Sequence, residues 1–164
     1  MKKITQAIKE EAHLIHELVH QIYPPTYKHI LSDDQIQFML EKNYTISSLY
    51  EAMDSGQDFF LIWDDQDNPV GFMAVKSNMQ DVLRIEKLYL LPETQGKGFG
   101  SEFIAFAEGI AINSKKSILE LNVNRGNHAY YFYLKKGFKV IQEVDIPYYG
   151  YILDDYVMQK VISD

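Results

Sequence analysis

Six consecutive residues, three of them glycines, read Gln95-Gly96-Lys97-Gly98-Phe99-Gly100. An apolar stretch over residues 82–91 precedes them, and apolar side chains at helical spacing follow, so the pattern predicts strand, glycine-rich turn and helix. Glycine allows positive φ and lets another molecule approach the backbone closely. Unpaired N–H groups at a helix start, together with the positive end of the helix dipole, favour an anion. The stretch therefore predicts a phosphate-binding turn.

Two common nucleotide-binding turns fit this stretch less well. A P-loop needs an earlier glycine and a Ser or Thr directly after Gly-Lys, whereas Leu91 and Gly98 stand at those places. A Rossmann turn can be written from Gly96, Gly98 and Ser101, with Glu120 as the ribose-binding acid. Hairpin-like strands precede the turn, however, whereas a Rossmann unit usually begins its domain. A nucleotide-dependent oxidoreductase is thus the weaker alternative.

A different pattern, Gln/Arg-x-x-Gly-x-Gly/Ala, is met by Gln95, Gly98 and Gly100. A second signature with fixed spacing lies further along the chain: Asn127, Ala129, Phe132, Tyr133, Gly137 and Phe138. In this order and spacing, the two patterns resemble those of the GNAT superfamily of N-acetyltransferases. The resemblance covers roughly residues 58–160.

The periodicity of the chain predicts a mixed α/β (α+β) fold in one domain, residues 1–164. Antiparallel strands precede the glycine turn, a βαβ step follows it, and three or four helices cover the faces. The first helix is expected to end near Tyr23, because Pro24 and Pro25 remove two backbone donors. A capping box at Ser32 starts the next helix. The resemblance implies the same order, a largely antiparallel twisted sheet flanked by helices with a central βαβ step.

Composition narrows the classes of function. The chain has 164 residues, a net charge of −7 and no cysteine, so a disulfide framework and a zinc–thiolate site are excluded. The acidic balance disfavours nucleic acid as a partner and is compatible with a cationic substrate. No apolar run has the length of a membrane span, and the N-terminus lacks a signal-peptide core, so a cytoplasmic location is expected. No metal site is predicted from the five histidines.

The resemblance implies acetyl-CoA as co-substrate and assigns residues to it. The glycine-rich turn is expected to hold the pyrophosphate, through Gln95, Gly96, Lys97, Gly98, Phe99 and Gly100. Backbone groups of the preceding strand are expected to pair with the pantetheine arm, at Leu88, Tyr89 and Leu90, with the N–H of Leu90 polarising the thioester carbonyl. Asn127 is expected to contact the cofactor. Many members place this asparagine where Gly126 stands here, and Asn124 is a rival.

Two side chains are candidates for proton transfer. Tyr133 occupies the tyrosine position of the second signature, and a phenol keeps its proton at neutral pH and can protonate the leaving thiolate. Glu86 is the candidate base, because a carboxylate within so apolar a strand is costly unless it is paired or functional. A salt bridge of Glu86 with Arg84 or Lys87 is the structural alternative, and Glu120 is the rival base.

The predicted function is acetyl transfer from acetyl-CoA to a primary amine by direct attack, with a small cationic amine as acceptor. Protein or peptide N-acetylation and a non-catalytic acyl-CoA sensor are the alternatives, and a homodimer is compatible with the sequence. The acceptor pocket is expected to draw on the first helices and the last hairpin. Five tyrosines in these segments are candidates for its lining: Tyr23, Tyr27, Tyr44, Tyr148 and Tyr149.

Overall fold

The computed structural model describes residues 2–162 and, of Asn78, the backbone alone. Seven strands are found within these residues: β1 (Lys3–Gln6), β2 (Asp58–Trp63), β3 (Pro69–Met79), β4 (Val82–Leu90), β5 (Ile118–Asn124), β6 (Lys139–Tyr148) and β7 (Tyr151–Val161). The same range contains five α-helices: α1 (Ala12–Tyr27), α2 (Asp33–Asn43), α3 (Ile46–Asp54), α4 (Phe99–Asn113) and α5 (Ala129–Lys135). No helix within this range has both the length and the apolar character of a membrane span.

All seven of these strands form one sheet in the order β1-β2-β3-β4-β5-β7-β6, counted over the described part of the chain. Only β4 and β5 run parallel, and α4 makes the crossover between them. The other neighbours are antiparallel. The mixed, largely antiparallel sheet with a central βαβ step is the predicted architecture and is confirmed.

The sheet is weakest where β4 meets β5. Pairing covers four residues, from Val82 opposite Ile118 to Ile85 opposite Leu121, and then the strands diverge. A β-bulge sits at the point of divergence, because Val75 and Ala74 of β3 pair with Ile85 and Lys87 and leave Glu86 as the extra residue. A bulge bends its strand and increases the local twist. The cleft between the two strands thus begins at Glu86.

Two apolar clusters lie on opposite faces of the sheet. One packs α4 and α5 against the sheet through residues such as Phe103, Leu121 and Phe138. The other packs α1, α2 and α3 against the opposite face and includes the completely buried Leu49. At about 25 cal/mol per Å² of apolar surface, such side chains supply most of the driving force for folding. Neither cluster fills the cleft between β4 and β5.

Helix α1 is longer than the sequence pattern predicts. It continues through Pro24 and Pro25 to Tyr27, so the prediction that it ends near Tyr23 is wrong. Tyr23 and Tyr27 lie one turn apart, are both buried, and pack at 4.4 Å between ring centroids. Burying both rings requires a helix across the prolines, and tertiary packing here outweighs the loss of two backbone donors.

Candidate active site

A cavity of about 1110 Å³ opens in the cleft between β4 and β5. Its wall is formed by residues of α1 and α2 on one side and by the start of α4, helix α5 and the β6–β7 hairpin on the others. The site residues predicted from the sequence that line it are Glu86, Leu88, Tyr89, Leu90, Gln95, Gly96, Gly98, Gly100, Asn127 and Tyr133. Lys97 and Phe99 are not part of the wall, since Lys97 is exposed to solvent and Phe99 is buried in the core.

The glycine-rich turn has the geometry of an anion cradle. Gly96 and Gly98 have φ angles of 80° and 89°, and Gly98 is the N-cap of α4. Within residues 2–162, no hydrogen bond satisfies the N–H groups of Gly98, Gly100 or Ser101. A Cβ on Gly100 would lie 2.9 Å from the Phe132 ring, so glycine also lets α4 pack against α5. The first turn of α4 therefore presents unpaired donors and its positive dipole end to the cavity.

Strand β4 directs alternate backbone groups into the cleft. The N–H of Leu91 donates to the carbonyl of Val70 at 2.9 Å, so this position faces β3. Backbone groups of successive strand residues point to opposite edges, and the N–H of Leu90 therefore faces the cleft, as does that of Leu88. Tyr89 presents its backbone to β3 and its side chain to the cavity.

Tyr133 is buried, at 6 % exposure, and packs edge-on against Phe132 and Phe138. Its hydroxyl has no hydrogen-bond partner among the described residues, and the residue lines the cavity. Burial raises the pKa of Tyr133 above that of an ordinary phenol, with a smaller contribution from Tyr27. The side chain therefore presents a protonated hydroxyl to the cleft at neutral pH.

The two candidate asparagines differ in the work their side chains do. Asn124 uses both ends of its amide, donating to Asp154 at 3.1 Å and accepting from the N–H of Gly126 at 2.8 Å. Asn127 accepts from the N–H of Ala129 at 3.0 Å, which caps the start of α5. Its side-chain amide also interacts with the hydroxyl of Tyr27, and Asn127 lines the cavity.

The contacts of Glu86 and Glu120 distinguish these two candidate bases. Glu86 is exposed at the bulge, and its carboxylate makes no salt bridge within the described chain. Arg84 instead binds Glu120 at 2.9 Å and the amide of Asn122, while Lys87 donates to Gln57 at 2.6 Å. Arg84 and Lys87 therefore do not form the salt bridge with Glu86 that was the structural alternative.

Glu120, the rival base, is 9 % exposed and is held by two partners. Besides Arg84, the Nε2 of Gln159 donates to it at 2.7 Å. It does not line the cavity. Its carboxylate supports the sheet and is not placed to meet a substrate.

The end of the cavity remote from the glycine turn is lined by tyrosines. Four of the five that the sequence suggests are in the wall, and Tyr89 joins them: Tyr23, Tyr27, Tyr44, Tyr89 and Tyr148. The hydroxyls of Tyr27 and Tyr89 are hydrogen-bonded at 3.0 Å. Burial raises the pKa of both, so they stay neutral. Tyr149 is 66 % exposed and lies outside the wall.

The β6–β7 hairpin closes this end. Phe38 of α2 packs against Tyr148, Tyr149 and Tyr151, with ring centroids 6.2, 5.7 and 5.3 Å away. The hydroxyl of Tyr148 donates to Oδ1 of Asn43 at 3.1 Å. We call this contact between the turn of the hairpin and α2 the roof. It leaves a narrow, aromatic end to the cavity.

Several residues in the wall are not suggested by the sequence patterns. Lys135 and Lys136 flank the glycine-rich end, where Lys97 was expected to supply charge. Asp155 of β7 and Gln35 of α2 face the tyrosine end. Asp155 lies in an otherwise mostly apolar strand, which is the same signal that singles out Glu86. Gln35 has no such signal, because the sequence explains it as part of a helix cap.

The histidines of α1 bond to backbone rather than to one another's ring nitrogens. His13, His16 and His20 place Nδ1 at 2.8–2.9 Å from the carbonyl oxygens of Glu10, Tyr44 and His16. Among the residues the structure describes, no group of three or more His, Cys, Asp or Glu side chains has the arrangement of a metal site.

Comparison with known families places residues 27–147 in the acetyltransferase (GNAT) domain family. A curated relative, the peptidyl-lysine N-acetyltransferase YjaB of Salmonella typhimurium, is 39 % identical over 84 residues. That match spans 49 % of this chain and about half, 51 %, of the relative.

Solved structures of acetyltransferases share the fold over the whole chain. PaiA N-acetyltransferase from Thermoplasma acidophilum, solved with coenzyme A, superposes with a TM-score of 0.83 at 24 % identity, over 98 % of this chain and 99 % of that one. A spermidine N-acetyltransferase chimera of Vibrio cholerae SpeG and hSSAT gives 0.69 at 18 % identity, over 98 % and 95 %. The chain thus belongs to the acetyltransferase (GNAT) domain family.

Proposed function

We propose that the protein transfers the acetyl group to the primary amine of a small cationic molecule. The observation that carries this proposal is the roof over the tyrosine end of the cavity. Phe38 and Asn43 hold the hairpin turn against α2, so an acceptor that fits beneath is small. Tyrosine faces attract cations, and the net charge of −7 raises the local concentration of a cationic substrate.

The residues at the other end fit acetyl-CoA. The unpaired N–H groups of Gly98, Gly100 and Ser101 suit a pyrophosphate, and Lys135 and Lys136 add positive charge beside them. The free edge of β4 offers Leu88 and Leu90 to an amide-bearing arm, as one strand offers backbone groups to another. We assign these groups and Asn127 to cofactor binding. Bound acetyl-CoA supplies the thioester from which the acetyl group is transferred.

Three groups of this chain are assigned to the chemistry. The N–H of Leu90 donates to the carbonyl oxygen, on which negative charge develops. Glu86 accepts the proton of the attacking amine, directly or through water, since an alkylammonium with a pKa near ~10.4 is almost fully protonated at neutral pH. Tyr133 donates a hydrogen bond to the sulfur that leaves. Because burial raises the pKa of Tyr133, it holds its own proton and stabilises a thiolate beside it.

Peptidyl-lysine is the second candidate acceptor. It is favoured by the similarity to YjaB, whose name states that activity, over about half of each chain. A lysine side chain carries the same primary amine. A peptide, unlike a small molecule, requires the hairpin turn to move away from Phe38. The non-catalytic sensor is disfavoured by Tyr133, since a sensor does not need a proton donor at the sulfur.

An acceptor screen read by mass spectrometry tests the proposal. The protein is incubated with acetyl-CoA and, separately, with diamines, amino sugars, amino acids and lysine peptides of similar concentration. We expect acetylation of small cationic amines with kcat/KM well above that of lysine peptides. Turnover confined to peptides, or to neutral and acidic acceptors, would contradict the proposal. Phe38→Ala, which loosens the roof, is expected to raise peptide turnover relative to that of small amines.

A further inference from the structure

Besides Glu86, a second carboxylate in the cavity wall has no salt-bridge partner among the described residues. Asp155 of β7 is half-buried and accepts a single hydrogen bond within residues 2–162, from Nδ2 of Asn122 at 3.2 Å. Asn122 is held in turn by Arg84, which donates to its Oδ1. No cation lies within salt-bridge distance of Asp155 in the described chain. Arg84 and Arg125, whose charges act on it, form salt bridges with Glu120 and Asp145 instead. The carboxylate is therefore fixed in place and retains free acceptor positions.

Asp155 lies across the cleft from the groups assigned to the chemistry. Its backbone pairs with Asn124 of β5, and β5 lies between β7 and β4. Two strand spacings, about 10 Å, therefore separate the backbone of β7 from that of β4 even before the strands diverge. The thioester end of the cleft is defined by Glu86 and Leu90 on β4. A group bound to Asp155 is thus a part of the acceptor other than its reacting amine.

A second, independent feature of the same wall also points to a ligand. Gln35 of α2 is 8 % exposed, lines the cavity, and its Nε2 is the buried side-chain atom without a hydrogen-bond partner in the described residues. A buried amide without a partner destabilises the protein unless a ligand or water satisfies it. Nearly all buried polar side chains in proteins have partners, and the exceptions often belong to binding sites.

We propose that Asp155 is a specificity-determining residue, whose carboxylate binds a second cationic group of the acceptor while the first amine is acetylated. The acceptor class is a compound with two positive charges separated by a short spacer, and a hydrogen-bond acceptor on the same molecule, such as an oxygen atom, satisfies Nε2 of Gln35. Asn122 and Arg84 act as positioning residues for the carboxylate. The proposal rests on the proposed function and makes it specific.

The burial and the charged neighbours of Asp155 explain why it favours a cationic ligand. Burial raises the pKa of Asp155, while the hydrogen bond from Asn122 and the charges of Arg125 and Arg84 lower it, and Asp154 raises it. An ammonium group bound to Asp155 stabilises its carboxylate, because it replaces the contacts with water that burial removes. Tyr23 and Tyr27 lie near it and contribute neutral, π-rich surface. An ammonium between a carboxylate and aromatic faces is bound by both.

The test compares two acceptors that share a reacting amine. 1,4-Diaminobutane carries the second ammonium, and 4-amino-1-butanol replaces it with a hydroxyl. For the wild-type protein we expect kcat/KM to favour the diamine by roughly 10- to 100-fold, the usual contribution of a hydrogen-bonded charge pair. Asp155→Asn is expected to bring the ratio near one by raising KM for the diamine, with kcat little changed. The matched control is Glu143→Gln, which removes one negative charge from an exposed position on β6.

Three outcomes separate the possibilities. An unchanged preference for the diamine in Asp155→Asn overturns the inference while the proposed function stands. A fall in kcat at unchanged KM also overturns it, because it identifies Asp155 as a proton acceptor instead. Calorimetry of 1,4-diaminobutane binding to the protein with coenzyme A gives a readout without turnover. Binding that Asp155→Asn abolishes, with no amine acetylated, supports the site and overturns the proposed function.

Discussion

At the scale of the residue, Tyr133 shows how burial decides the form that proton donation takes. Its ring is fixed between Phe132 and Phe138, and its hydroxyl faces the cleft. An ordinary phenol has a pKa of about 10 and a thiol about 8.5, and burial widens that gap. Full proton transfer from Tyr133 to a thiolate is therefore uphill. The expected contribution is a hydrogen bond to the developing charge.

Tyr133→Phe is predicted to lower kcat by roughly 10²-fold, the low end for a positioned acid. Phenylalanine keeps the ring and its packing, so acetyl-CoA affinity measured by calorimetry should change little. Raising the pH should not restore kcat, since the missing group is a donor. An unchanged kcat would remove Tyr133 from the mechanism and direct attention to Tyr130, Tyr131 or solvent. Tyr50 is exposed and lies outside the cavity wall, and Tyr50→Phe serves as the control.

Asp155 provides a prediction on stability with a definite sign. Its pKa is raised in the folded protein, so between the ordinary carboxyl pKa of about 3.9 and the raised value the folded state binds more protons than the unfolded state. Stability contributed by this group is therefore lost as pH rises through that window. We predict that Asp155→Asn raises Tm at pH 7 and that the difference disappears below pH ~4.

Thermal melts of Asp155→Asn and the wild type from pH 4 to 8 measure this, with Glu143→Gln as the control for net charge. The charged groups near Asp155 set the size of the effect: Asp154, Arg84 and Arg125. A lower Tm for Asp155→Asn at pH 7 would mean that the carboxylate stabilises the fold. A residue that costs stability and lines a cavity is consistent with the trade-off between stability and function at binding sites.

Some of these site residues can be predicted from the sequence and others cannot, and the difference has a physical reason. Tyr133 is found because a local signature places it on the cleft side of α5. Glu86 and Asp155 are both carboxylates in largely apolar strands, and Glu86 was singled out for that reason because its strand leads directly into the glycine turn. Asp155 comes into the cavity through pairing with β5, which lies thirty residues earlier in the chain. Long-range pairing of this kind leaves no local pattern.

At the scale of the element, two glycines have opposite effects on α4, one at its N-cap and one in its interior. Gly98 is its N-cap with φ of 89°, where a side chain is strained. Gly109 lies within the helix, and a Cβ there would meet nothing within 4 Å. We predict that Gly98→Ala lowers the free energy of unfolding by about 1–2 kcal/mol. Gly109→Ala is predicted to raise it by about 0.5–1 kcal/mol.

Urea denaturation of both variants, with acetyl-CoA affinity determined in parallel, checks this pair. Only Gly98→Ala should weaken acetyl-CoA binding, because the donors it disturbs are those of the first turn. Equal stability changes of the same sign would show that glycine content alone, and not the left-handed N-cap, matters in α4.

Two other elements show where local rules are overridden. The prolines of α1 predict a helix end, but the buried rings of Tyr23 and Tyr27 keep the helix intact beyond them. The bulge at Glu86 is likewise invisible in the sequence of β4, since it is defined by what β3 places opposite. Alternation along β4 predicts that Glu86, Leu88 and Leu90 share a face. The extra residue breaks that alternation and exposes Glu86 at the mouth of the cleft.

At the scale of the whole molecule, four residue pairs between β4 and β5 join the first four strands of the sheet to the last three. The order of elements was predictable, because the hydrophobic periods and the two signatures identify each step of the βαβ unit. The depth of the cleft was not, since it depends on where β4 and β5 part. A molecule bound in the cleft touches both halves of the sheet.

We therefore predict that acetyl-CoA stabilises the protein more than NAD or ATP does. At a hundredfold excess over Kd, binding to the native state adds about 2.7 kcal/mol. For a protein of this size that corresponds to a rise in Tm of roughly 5–10 °C. Hydrogen exchange should slow at Leu88 and Leu90, whose N–H groups face the cleft and gain a partner.

The controls for this measurement lie on α4. Gly98→Asp should abolish the shift, because a negative side chain at the N-cap occupies the donors and repels a phosphate. Gly109→Ala should melt higher without ligand and still show the full acetyl-CoA shift. Equal shifts from acetyl-CoA, NAD and ATP would show that the glycine turn binds phosphate without selecting the arm. Slowed exchange confined to α4, with Leu88 and Leu90 unaffected, would exclude β4 from the cofactor site. In that case neither the N–H of Leu90 nor the free edge of β4, which the divergence from β5 exposes, would have the part in the reaction that is assigned to them here.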